Sequence, residues 1–147
     1  MDRGAAVVLT AAVGGLIALQ APINSHLGRS IGTFQAAFVS FAIGTLLLAA
    51  IAAVAKGGMA QVSGVRSVTW YYLTGGMLGA AYVTTVLVTV RSLGAGGVVA
   101  ATIAGQLTMG VLVDHLGLLG VAKDPITATK VVGIALLAAG VFLIVRE

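Results

Sequence analysis

Apolar residues run along this chain in long stretches interrupted by single charges. The charge-free windows are 4–28, 30–55, 67–90, 92–113 and 131–145, and about 20 residues are needed to cross a bilayer as a helix. Four windows suffice as they stand. The fifth is short, but Lys130 can lay its stem along the helix and lift its ammonium to the headgroups, and Asp124-Pro125 supplies a helix start, so 126–145 can also span. The pattern predicts an all-α polytopic membrane protein. We expect one transmembrane domain, 1–147, with five helices at about 4–27, 33–55, 69–90, 96–117 and 126–145. The segment from Lys56 to Ser67 reads as a plain polar connection, and SLGAGG (92–97) as a tight hinge that makes helices 3 and 4 an antiparallel hairpin.

Composition sharpens this picture. Hydrophobic residues make up 59% of the chain, charged residues 8%, and the mean hydropathy is +1.12, which excludes a soluble domain and makes the lipid bilayer the first partner. The N-terminal stretch is span-length and holds Gln20, Pro22 and Asn24 in place of a small-residue cleavage site, so it reads as a helix and not a signal peptide. The net charge of +4 comes from scattered cations at helix ends, which do not form a nucleic-acid patch. Five cations (Arg3, Lys56, Arg66, Lys123, Lys130) fall on one side of the expected topology and three (Arg29, Arg91, Arg146) on the other. This bias fits a mild preference for a cytoplasmic N-terminus or insertion in both orientations.

Polar residues inside the windows are the candidates for function. In helix 4, Thr102, Gln106, Gly110 and Asp114 share a face at helical spacing. A carboxylate at hydrocarbon depth costs about 2.5–3.5 kcal/mol on insertion scales, so Asp114, with His115 beside it, is a candidate coupling group. The alternative is that the helix ends near Leu116 and both are interfacial caps, paired with Lys123 or Arg29. In helix 1, Gln20 and Asn24 lie one turn apart on one face, either facing a substrate or bonding between helices. Pro22 predicts a kink or an opening there. Tyr82 is a third candidate substrate contact, or a satisfied core tyrosine.

Small residues mark the packing faces: Ala36, Ser40 and Gly44 in helix 2, Gly75 and Gly79 in helix 3, Gly105 and Gly110 in helix 4, Gly133 and Gly140 in helix 5. Trp70, Tyr71 and Tyr72 suit the headgroup level, and Phe34, Phe38 and Phe41 form a stripe fit for packing or lipid contact. The chain has no cysteine, hence no thiol chemistry. It carries no nucleophile, phosphate-loop or metal-ligand motif, so neither an enzyme nor a metal or other cofactor is expected.

The segments GLIALQAPINSHLG (15–28), FQAAFVSFAIGTLLL (34–48), GGMLGAAYVT (75–84) and IAGQLTMGVLVDHLGLLG (103–120) together resemble the YdcZ-like five-helix members of the drug/metabolite transporter superfamily. The resemblance implies a small multi-pass transporter of the bacterial inner membrane, with Gln20, Asn24, Gln106, Asp114, His115 and Gly117 at its motif positions. The related four-helix small multidrug resistance exporters carry a buried glutamate in their first helix. Here no acid follows Asp2 in that helix, and amides do not exchange protons near neutral pH, so Asp114 would have to supply any titrating group.

With no internal repeat, one chain reads as half of a transporter. We expect a homodimer, antiparallel in one arrangement, that moves a small solute by alternating access through a cavity lined by Gln20, Asn24, Tyr82 and Gln106. The rivals are a passive channel from a dual-topology dimer, as in small fluoride channels, with Asn24, Phe34 and Phe38 at its pore, and an accessory subunit of a membrane complex.

Overall fold

The computed structural model describes residues 2–56 and 58–146; Met1, Gly57 and Glu147 lie outside the described residues. Among those described there are α-helices and 3₁₀ helices and no strands. The α-helices are α1 (Arg3–Ile31), α2 (Thr33–Val54), α3 (Gly75–Leu116) and α4 (Ala128–Val145). All are long and apolar enough to cross a membrane, so the chain is an all-α membrane protein.

α1 starts where Asp2 caps it, its carboxylate accepting from the Gly4 and Ala5 amides at 3.1 and 3.3 Å. The helix runs uninterrupted through Pro22, so the opening expected there does not form. A proline removes one amide donor, and in a membrane helix neighbouring groups can take up the freed carbonyl. α1 stops at Gly32, whose φ of 99° and ψ of 150° lie outside any helix. Only a residue without Cβ adopts that conformation at little cost, and α2 begins at the next residue.

The connection after α2 is not a plain loop. Gly58–Ser67 is wound as a 3₁₀ helix, helped by Ser63 and Ser67, whose hydroxyls donate to carbonyls three residues back at 2.7 Å each. A second 3₁₀ turn, Trp70–Thr74, is closed by Thr74 in the same way. The α-helical part therefore starts at Gly75, six residues later than the sequence pattern indicates.

α3 has 42 residues, about 63 Å at 1.5 Å per residue, roughly twice the hydrocarbon thickness. It is broken at Gly94, with φ 68° and ψ 170°. The break leaves limbs 75–93 and 95–116, each of spanning length, which accounts for the five helices expected from the windows. The hinge is sharper than the six-residue SLGAGG segment, because Gly94 alone leaves helical geometry there.

α4 is capped by Thr127, whose hydroxyl accepts from the Lys130 amide at 3.3 Å. Asp124 is not the cap. Its carboxylate pairs instead with Lys130 Nζ at 2.8 Å.

The chain divides into two compact units, residues up to Arg91 and residues from Ser92. In the first, Ala36 and Ala37 of α2 pack with Val83 and Leu87 of α3, and Leu27 and Tyr82 close over them. In the second, Val145 of α4 lies against Gly97 at the start of the second α3 limb.

Candidate functional site

In the first unit, the side chain that sequence pattern singled out most usefully is Asn24. It is buried, 5% exposed, and its Nδ2 donates to Ser40 Oγ at 3.1 Å. This bond ties α1 to α2 at the point where both present small residues: Ala21, Ser25 and Gly28 on α1 and Ala36 and Ala37 on α2 are all buried. Ser40, read from sequence as a packing position, is thus also the hydrogen-bond partner of Asn24. Gln20, one turn earlier, is uncovered by the chain, and among the described residues its amide makes no hydrogen bond. At 1.5 Å per residue it lies about 26 Å from Arg3 and about 17 Å from Ile31, well inside the span.

Tyr82 is half-buried against the Ala36–Leu87 core. Its neighbours Thr85 and Thr89 spend their hydroxyls on carbonyls four residues back, at 2.9 and 3.1 Å, which leaves them little to offer a solute. Phe41 meets Gly79, whose missing Cβ would sit 3.5 Å from the ring, whereas Phe34 and Phe38 are exposed. At the end of this unit Arg91 donates to Thr33 Oγ1 at 3.4 Å and lies over Gly28. No spacing in the sequence announces that contact, because its partners are 58 residues apart.

In the second unit, Gln106 is uncovered and free of hydrogen bonds among the described residues. It lies about 18 Å past Gly94 and about 15 Å before Leu116, halfway along its limb. Gly105 and Gly110 have no neighbour within 4 Å. Asp114 is half-buried, and α3 ends two residues after it. Among the described residues its carboxylate makes no ion pair. Its backbone carbonyl instead accepts from the Gly117 and Asp124 amides, at 3.2 and 2.8 Å. His115 Nδ1 accepts from the Ile126 amide at 3.2 Å.

The same unit holds a shallow groove of about 470 Å³ between Leu93, Ala101, Ala138 and Val141. At its end Arg146 lies 5.7 Å from the centre of the Phe142 ring. Neither Gln106 nor Asp114 lines it.

Residues 5–143 match the family described as "Putative inner membrane exporter, YdcZ". The chain belongs to the YdcZ family. A match over nearly the whole chain, together with its long apolar helices, makes this YdcZ-family protein a multi-pass protein of the inner membrane, in a family described as exporters. No curated protein and no solved structure matches it.

Proposed function

We propose that the YdcZ-family chain is one half of a homodimeric carrier that moves a small polar or amphipathic solute by alternating access. The observation that carries this reading is the placement of Gln20 and Gln106. Each is an amide well inside a span, uncovered by its own chain and without a hydrogen bond among the described residues. An unsatisfied amide facing hydrocarbon costs several kcal/mol, so these positions are best served by water, a solute or a second copy. Bare small residues support the second copy: Gly44, Gly75, Gly105 and Gly110 have nothing within 4 Å, and such positions let helices of another chain approach closely. In the first unit Gln20, Asn24 and Tyr82 are then the candidate solute contacts; in the second Gln106 is, with Asp114 and His115 at the end of the same α3 limb as the coupling pair.

The absence of cysteine makes the test clean. Gln20→Cys and Gln106→Cys each introduce a single thiol, and the carrier reading expects both to react with membrane-impermeant maleimides from at least one side in proteoliposomes. Solid-supported-membrane currents against organic cations, metabolites and anions, with and without a pH gradient, should be saturable and show exchange. Thiols unreactive from both sides overturn the cavity, and throughput far above conformational rates overturns the carrier.

A further inference from the structure

The segment joining α3 to α4 has little regular structure of its own, yet it folds back onto the helix it has just left. After Leu116 the chain departs through Gly117, and seven residues later the Asp124 amide returns to donate to the Asp114 carbonyl at 2.8 Å. Lys123 passes close over Gly117, whose missing Cβ would sit 3.4 Å from that of the lysine. Two residues further on, the Ile126 amide donates to His115 Nδ1 at 3.2 Å, immediately before Thr127 caps α4.

These ties differ in chemistry. A carbonyl accepts at any pH. A backbone N–H can only donate, so the Ile126 contact requires a lone pair on Nδ1, which means a neutral ring with its proton on Nε2. When the ring takes up a second proton both nitrogens become donors, and the contact turns into a donor facing a donor. Histidine is the side chain whose ordinary titration falls between pH 5 and 8.

We propose that His115 is a proton-operated latch: neutral, it holds Ile126, two residues ahead of α4, against the end of α3; protonated, it releases that contact. The charged groups around it are Asp114 on its own helix, Lys123 and Asp124 on the connecting segment, and Lys130 on α4. Asp124 and Lys130 pair at 2.8 Å, and Lys130 Nζ also donates to the Asp124 and Pro125 carbonyls at 3.3 and 3.1 Å. Asp124 thus stays anchored to both helices, and Pro125 and Thr127 to α4, when the latch opens, so the release is confined to the Ile126 contact. The latch rests on this local geometry and does not depend on which solute moves, or on whether one does.

The test is amide exchange and nitrogen NMR on the full chain in lipid nanodiscs. At pH 7.5 the His115 ring should show the Nε2–H tautomer. The protection of the Ile126 amide, taken relative to its intrinsic exchange rate at each pH, should fall about tenfold at pH 5.5, while Val111 in the α3 interior is unchanged. His115→Asn keeps an acceptor near the Nδ1 position without a proton to gain, and should hold Ile126 protection constant between the two values. His115→Leu should leave Ile126 poorly protected at both, with Val111 reporting that the helix is intact. Asp124→Asn should retain the wild-type fall. An Nδ1–H tautomer at pH 7.5, protection independent of pH in the wild type, a fall that persists in His115→Asn, or one abolished by Asp124→Asn would each overturn the latch.

Discussion

The two units of this chain hold their helices together in opposite ways. Up to Arg91 the helices meet through their lengths: Ala36 and Leu87 are fully buried, and a buried amide, Asn24, reaches across to Ser40. From Ser92 onward the ties gather at one end, where the Asp114 carbonyl, His115 and Lys130 hold the segment that leads into α4, and α4 itself buries no residue. In lipid, apolar surface gives helices no hydrophobic reason to associate, so close packing of small residues and interhelical hydrogen bonds must do it. The first unit has both of these in its interior. The second has its hydrogen bonds at its end, and although Val98, Ala100 and Val111 of its α3 limb are buried, α4 stays largely uncovered.

This contrast predicts where truncation hurts. Leu87→Ala removes a side chain that is 0% exposed and leaves a cavity between α2 and the first α3 limb. Leu→Ala changes in soluble cores cost about 2–5 kcal/mol. Lipid as the reference reduces the transfer part of that cost, so about 2 kcal/mol is expected here. Leu136→Ala on α4, 69% exposed, should cost under about 0.5 kcal/mol. SDS-induced unfolding of the two variants measures the difference, and equal losses would show that α4 is as firmly packed as the first unit.

The boundary region offers the next largest effect. Gly94 holds φ 68° and ψ 170°, a region that is essentially closed to residues with a Cβ and costs about 1–3 kcal/mol when forced. Gly94→Ala should lose stability in that range. Gly96→Ala, helical and with open space around it, should be neutral or slightly stabilising, since alanine is the better helix former. If both variants behave alike, the break is not pinned to Gly94.

How far these features could be read from the residues depended on their range. The charge-free windows read as spans because the bilayer's thickness alone sets that length. They missed the 3₁₀ windings at Gly58–Ser67 and Trp70–Thr74, where serine and threonine hydroxyls bond locally and hydropathy carries no signal. Asp124 followed by proline reads as the cap of α4, whereas the structure uses Thr127 and spends Asp124 on Lys130. Asn24 stood out as an amide in an apolar helix, but its partner Ser40 was legible only as a small residue. The Arg91–Thr33 and His115–Ile126 contacts join residues whose proximity is decided by how helices end, and no periodicity encodes that.

A double-mutant cycle sharpens the contrast further. Asn24→Ala and Ser40→Ala each remove one side of the 3.1 Å bond, and interhelical hydrogen bonds in membranes couple by about 0.6 kcal/mol on average, up to about 1.7. Because Asn24 is buried, its coupling to Ser40 should lie toward the upper part of that range, about 1 kcal/mol. A cycle that closes to zero would show that the Asn24–Ser40 bond does not hold α1 to α2.

The smallest effect belongs to the end-tied unit. The Asp124–Lys130 pair is short, at 2.8 Å, but the Asp124 side chain is 64% exposed, and exposed ion pairs contribute about 0–1 kcal/mol and weaken with salt. Asp124→Asn removes the charge but leaves the Asp124 amide on the Asp114 carbonyl and the Lys130 contacts to the carbonyls of residues 124 and 125. Global stability should therefore shift by less than about 0.5 kcal/mol, and the shift should shrink further in 0.5 M salt. Lys130→Ala, which also removes the two carbonyl contacts, should cost more than Asp124→Asn at every salt concentration. If the two variants instead cost the same and lose that cost together as salt rises, the second unit is held by charge alone. The distinction between a unit tied through its interior and one tied by hydrogen bonds at its end would then have to be redrawn as one between packing and electrostatics.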